Sequence, residues 1–322
     1  MEGRRGGPGA VRAVTDTRRI GWRQGRAAAW AALALAGLCA AAPPRGPANT
    51  PGATLTPADN AMISFAGNAS PTKIYEVAGL WLTLSSGAER EGVYHAVMNI
   101  RGPGASVFTD LGASNTDGSA KFGVFRLDSG VKTPQIVFTS FTGGAHCCVR
   151  VDILSYDGLR WRRIEAGASN GGLLSLYEKH GDAAPALVFG DDRFVYAFAS
   201  YAESRQPIRV FSFRAGRLID VSEAWTYKPL YLAEMGKLRG DCEQHANGAC
   251  AAFVADAARA GRFKEAWATM LASYDKSSQV FPTSCDVAEV QGACPDGRAH
   301  KFSSYPQALA RFLADTGYRP RS

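Results

Sequence analysis

The sequence predicts a mainly β protein, α+β overall. A partial β-propeller-like or antiparallel β-repeat domain is followed by a small α-helical, disulfide-stapled C-terminal domain. Three observations predict it. Short runs rich in Val, Ile, Phe and Tyr fill residues 61–222, separated by Gly, Asp and Asn turns with no helical period between them. Two of these runs recur at spacings of 51 and 57 positions, close to one four-stranded unit. Beyond residue 222 the composition becomes helical and carries four cysteines.

The N-terminus reads as a signal peptide over residues 1–42. Arg23 and Arg26 precede the apolar, small-residue run Ala27–Ala42, and cleavage is expected near Ala41. The 16-residue run is short for a membrane span, so no stable transmembrane span is expected in the mature chain. This segment also explains the formal charge of +7: it holds seven Arg against Glu2 and Asp16, and the remainder is near +2. A nucleic-acid partner is therefore not expected. The mature protein is expected in the periplasm or secreted. Residues 43–60, rich in Pro, Ala, Gly and Thr, read as a disordered linker.

The β-repeat domain is expected over residues 61–222. Its strands are expected at Leu80–Leu84, Val93–Ile100, Phe122–Leu127, Gln135–Phe141, Val149–Tyr156, Leu173–Tyr177, Ala186–Phe189, Phe194–Ser200, Ile208–Phe213 and Leu218–Val221. Turn signals divide them, among them Asp117-Gly118, Asp157-Gly158 and Asn170-Gly171-Gly172. The internal repeat aligns Thr133–Phe138 with Ala184–Phe189, and Val151–Trp161 with Ile208–Leu218.

The helical domain is expected over residues 223–322. Ala251–Ala260 and Arg262–Tyr274 form an αα-hairpin split by Gly261. In the second helix Phe263, Ala266, Trp267, Met270, Leu271 and Tyr274 share one face. A last helix starts at Ser304-Tyr305-Pro306 and stops at Gly317. Six cysteines remain once Cys39 leaves with the signal, and an even set in an exported protein reads as disulfides. Proximity favours Cys242–Cys250 and Cys285–Cys294, which leaves the vicinal pair Cys147–Cys148.

The densest chemistry is His146-Cys147-Cys148 behind a Gly143-Gly144 turn. Adjacent cysteines can close a structural ring. They can also join His146 as soft ligands for Cu or Zn, or act in thiol exchange. The oxidising compartment favours the ring, and no standard metal spacing lies nearby, so no cofactor is expected. The second stretch of interest is Asp191-Asp192-Arg193, a charged loop able to bind a cation or a polar ligand, or to form a solvated turn. No HExxH, nucleophile elbow or penicillin-binding motif is present, so catalysis has no positive signal.

At FTGGAHCC and GDDRFVYAFASYAESRQPIRVF the chain resembles bacterial secreted proteins of the FG-GAP, integrin-α-N-terminal-like type, over residues 120–222. The resemblance implies β-propeller-type repeats and a binding or adhesion-like module. The calcium loop of that family is not matched: Asp128–Gln135 keeps one acid and places Lys132 where a cation is repelled. The expected function is an exported, non-enzymatic binding module for a protein or glycan. Its contacts are expected at Gly143, Gly144, His146, Asp191, Asp192 and Arg193. The alternative is a metal- or redox-active protein using His146, Cys147 and Cys148.

Overall fold

A computed structural model of the chain describes residues 53–54, 61–103, 107–144, 147–178, 184–285, 287 and 294–318. They belong to one compact unit, Thr50–Ser322. The expected signal peptide lies outside the described residues, as does the expected linker apart from Ala53–Thr54, and so does His146.

Three antiparallel meanders follow one another in sequence, and none closes on itself. The first holds β3 (Lys73–Val77), β4 (Leu80–Arg90), β5 (Val93–Arg101) and β6 (Val107–Leu111), with β1 (Ala53–Thr54) added parallel to β3. The second holds β7 (Ala120–Phe125), β8 (Gln135–Phe141), β9 (Val149–Tyr156) and β10 (Trp161–Ser169), with β2 (Ile63–Phe65) on its β7 edge. The third holds β11 (Leu173–Tyr177), β12 (Ala186–Gly190), β13 (Ile208–Arg214) and β14 (Arg217–Asp220). The internal repeat falls on equivalent strands: Thr133–Phe138 and Ala184–Phe189 lead into the second strand of their meanders, and the other pair spans the third and fourth.

The sheets stack, and side-chain alternation builds each interface. Leu80, Leu82 and Leu84 of the first sheet meet Phe122, Ile136, Phe138 and Leu154 of the second. Val137, Val151 and Ile153 point the other way, onto Leu187, Phe189 and Phe213 of the third. The third sheet turns Ala186, Val188, Ile208 and Val210 toward the helices. Its central strand β12 is buried along its whole length, which is why ALVF reads as an unbroken apolar run. β4, on the outer sheet, keeps a buried–exposed alternation over Leu80–Leu82.

The helices are α1 (Lys228–Glu243), α2 (Asn247–Ala260), α3 (Phe263–Ser273) and α4 (Tyr305–Asp315); a small ribbon, β15 (Ser284–Cys285) with β16 (Ala299–His300), precedes α4. Of the 14 residues of α2, 13 are buried. Its alanines let neighbours approach from all sides, and a Cβ on Gly248 would stand 2.5 Å from the Glu203 carbonyl oxygen. Gly261 ends α2 in the left-handed region at φ +70°, a conformation open to glycine at little cost. Cys242 is joined to Cys250, Cys285 to Cys294, and Cys147 to Cys148.

Two sequence expectations are corrected. Phe194–Ser200 is not a strand. Asp191 caps a 3₁₀ turn over Asp192–Phe194, and Tyr196 takes φ +62°, so the segment coils. Phe194 and Phe198 go into the core four residues apart, while Tyr196 is 58% exposed. Helix α1 was not expected at all. Only Tyr231, Met235 and Cys242 are buried along it, and Gly236 and Gly240 weaken its helical signal. Its Pro229 at the first turn is the one local cue.

Candidate functional site

The vicinal cysteines sit on the turn between β8 and β9. Thr142 clamps it: its backbone N–H donates to the Cys148 carbonyl oxygen at 2.8 Å, and its Oγ1 donates to the same oxygen at 2.9 Å. The Cys148 N–H in turn donates to Thr142 Oγ1 at 2.8 Å. Of the two glycines, the first is required by conformation and the second by space. Gly143 has φ +83°, and a Cβ on Gly144 would lie 2.0 Å from the Cys147 carbonyl oxygen. Cys147 and Cys148 are half-buried, linked to each other across a cis peptide bond. Among the described residues no group of three His, Cys, Asp or Glu side chains could hold a metal ion.

Asp191, Asp192 and Arg193 leave the end of β12. Asp191 is 2% exposed, and Arg193 grips it with Nε at 2.8 Å and with Nη2. The Tyr318 hydroxyl donates to the same carboxylate at 2.9 Å from behind. The bond to Asp191 raises the Arg193 pKa, while burial and that same carboxylate push Tyr318 well above the usual phenol value. Asp192 accepts from the Asn170 N–H at 3.1 Å and from Gln206 Nε2. Burial pushes its carboxyl up despite those donors. A local Asp–Arg pair exists as the sequence suggested, but it is anchored in the core rather than solvated.

The β10–β11 turn brings the two stretches together. A Cβ on Gly172 would lie 2.7 Å from Val149 Cγ1, one residue past Cys148. Asn170 of the same turn holds Asp192 through its N–H and accepts from the Tyr201 hydroxyl at 3.0 Å. The β6–β7 loop joins this end of the sheets through the Ala113 N–H, which donates to Ser140 Oγ at 2.7 Å. Two cavities flank the β10–β11 turn. One of about 470 Å³ is lined by Ser64, Lys121, Thr139, Phe141, Val149 and Leu174. The other, about 240 Å³, is lined by Gly167, Phe189, Asp192, Arg193, Arg209 and Phe211.

A polar seam went unread in the sequence. Asp152 of β9 is fully buried and Asp110 of β6 is 3% exposed. Arg150 Nε donates to Asp152 at 2.8 Å, and Arg163 Nη1 donates to Asp110 at 3.3 Å. Burial raises both carboxyls more than the arginines lower them. The available signal was an acid inside the apolar run of β9. At the opposite end of the sheets, Asp128 is committed to backbone N–H donors, Gly130 at 2.9 Å and Ala215 at 2.7 Å. Those donors tie two turns together through one side chain.

Residues 231–317 match the family model described as the sll0997 C-terminal domain. That stretch covers α1 to α4 from Tyr231 onward and lies outside the region of the FG-GAP resemblance, a different family. A curated protein of Synechocystis sp., "Probable thylakoid lumen protein sll0997", is 33% identical over 58% of this chain and 56% of its own length. An uncharacterized Sinorhizobium fredii protein, y4bJ, is 31% identical over 76% of this chain and 40% of its own length. The chain thus spans about half the length of the curated relatives it matches. No solved structure matches it. No helix among the described residues is long and apolar enough to cross a membrane.

Proposed function

We propose that the chain is an exported, non-enzymatic binding protein that recognises a protein or glycan with the loop end of its β-repeat sheets. The observation that carries this reading is the convergence of the Thr142–Cys148 turn and the Asp191–Arg193 loop on one turn, between two cavities. Phe141 and Leu174, exposed at 42% and 49%, border the larger cavity, as apolar residues at a binding cleft do. Three disulfides and similarity to a protein named as a probable thylakoid lumen protein support an oxidising compartment outside the cytoplasm. Successive four-stranded meanders also support the partial propeller-like reading.

The test uses the full chain against a glycan array and a panel of exported proteins. Leu174→Glu places a charge at the loop end, and Leu159→Glu, at a 90% exposed position on the far end, serves as control. Binding lost in the first variant and kept in the second is expected. Equal behaviour of the two, or no ligand in either panel, overturns the reading.

A second reading, thiol exchange at Cys147–Cys148, is favoured by one contrast. This pair is half-buried at a loop tip, whereas Cys242 and Cys250 are fully buried. A dithiol reductant would donate two electrons and two protons, leaving two thiols and becoming a disulfide itself. Under graded dithiol, the Cys147–Cys148 peptide is expected to gain ~2 Da and to alkylate before Cys242 and Cys250. Alkylation of Cys242 or Cys250 first sinks this reading. So would the 147–148 pair staying closed until the chain unfolds.

A further inference from the structure

The smaller cavity carries a more specific inference. It opens where β10 bulges between Glu165 and Gly167, beside the β12–β14 sheet. Gly167 has φ +111° and nothing within 4 Å of a built Cβ, so the bulge leaves this wall without a side chain. The opposite wall is Phe189 and Phe211, ring centroids 5.5 Å apart and edge-to-face, with Leu218 beside them. Arg209 lies with its guanidinium 4.9 Å from the Phe211 ring centroid and donates to Asp220 at 2.7 Å.

The charges here are already balanced in pairs, Arg193 with Asp191 and Arg209 with Asp220. A guanidinium has five N–H donors. Asp191 takes two from the Arg193 side chain and Asp220 takes one from Arg209, so both keep N–H groups uncommitted among the described residues. Asp192 supplies an acceptor to the same cavity. Each group is held from behind: Asp192 by Asn170 and Gln206, and Arg193 through Asp191 by Tyr318. A Cβ on Gly190 would press to 2.6 Å on Gln206 Oε1, so glycine there keeps that support in place. Such pre-positioning is what a binding site needs.

A site with donors, one acceptor and an apolar wall, but no surplus positive charge, suits a neutral ring bearing hydroxyls. Hydroxyls both give and accept, and the C–H face of a ring can lie on phenyl groups. An organic anion fits less well, because both arginines are neutralised and Asp192 repels it. The volume, about 240 Å³, falls below the roughly 300–1,000 Å³ of drug-sized sites, which limits the occupant to one ring. We infer that this cavity binds a single neutral sugar unit of a glycan, with Asp192 and Arg209 reading its hydroxyls. The inference rests on the binding reading above and chooses glycan over protein.

Saturation-transfer NMR and calorimetry of the full chain with the methyl glycosides of glucose, galactose, mannose and N-acetylglucosamine test it. Transfer to at least one glycoside is expected. Asp192→Asn and Arg209→Met should each weaken that binding by about tenfold, with melting temperature checked alongside. Ser169→Phe, on the cavity-lining face of β10 opposite Val149 and replacing no charge, should abolish it. Absence of transfer to all four glycosides overturns the inference, as does binding that survives Ser169→Phe. Methyl glucuronoside binding more tightly than every neutral glycoside also overturns it. If a ligand from the earlier panels depends on Leu174 while no glycoside binds, the broader reading stands and this one falls.

Discussion

Phe198→Ala is expected to destabilise the protein by about 3–5 kcal/mol, the range for removing a buried phenyl ring. Phe198 is 1% exposed and meets Tyr305 and Phe312 of α4 edge-to-face, at 5.3 and 5.1 Å between centroids. Phe194 adds Phe312 and Tyr318 to the same cluster, at 4.9 and 5.5 Å. This aromatic box fastens the last helix to the coiled loop after β12. The loss is expected to lower Tm by roughly 10 °C, read by calorimetry. Tyr196→Ala, two residues away but exposed, should stay within about 0.5 kcal/mol. Equal effects from the two variants would mean that the loop is not anchored through Phe198. The consequence reaches the site, because Tyr318 holds Asp191 and Asp191 holds Arg193.

The second large effect concerns Asp256, on the fully buried part of α2. Its Oδ1 accepts from the Ile208 N–H at 3.1 Å, while Oδ2 has no hydrogen-bond partner among the described residues. Burial raises its pKa well above the carboxylate range, Glu234 and Asp191 push in the same direction, and Arg259 pulls against them. Tyr231 and Tyr318 are the other titratable groups near it, both raised by burial. A raised folded pKa means that folding takes up a proton. Its contribution to stability is therefore fullest below the unfolded value of about 3.9 and is lost as pH rises through the folded pKa. Asp256→Asn keeps an oxygen for Ile208 and never ionises. It is expected to stabilise the protein more at pH 8 than at pH 4 in denaturant titrations. Asp256→Ala leaves the Ile208 N–H without its partner and should cost about 1–3 kcal/mol. A loss of stability in Asp256→Asn that is equal at both pH values would show an ionised Asp256 paired with Arg259.

These two residues mark where sequence reading reached its limit. Apolar runs bounded by turn residues located most strands, because Val, Ile, Phe and Tyr fit a pleated surface whatever packs on it. The repeat at 51 and 57 positions located equivalent strands of successive meanders. Cysteine spacing suggested pairs that the structure brings to bonding distance, since loops of eight and nine residues close easily. Phe194–Ser200 failed the same reading. Its alternating aromatics fit a strand, and only the cap from Asp191 and the core waiting under Phe194 and Phe198 turned them into a coil.

For the candidate site, the sequence singled out the Gly143–Cys148 turn and Asp191–Arg193 and expected them to form one contact region, without showing what holds them. Their meeting depends on Asn170 and Gly172, which read as ordinary turn residues. Arg209, Phe211 and Gly167 had no local mark at all, because a cavity is made by the distance between sheets rather than by any one strand.

Local features are legible in the residues alone: which segments extend, where they turn, which cysteines are close enough to close. Each rests on contacts within a few residues, where propensity and loop length decide. Long-range features come from packing in three dimensions. That packing made α2 a buried helix, left Asp256, Asp152 and Asp110 nearly without water, and set two loops against one turn. Burial is a property of what packs on a residue, and those partners lie 48 positions away for Asp256 and Ile208, and 127 for Asp191 and Tyr318. Desolvation and hydrogen-bond partners follow from that packing, and so does the site chemistry they create.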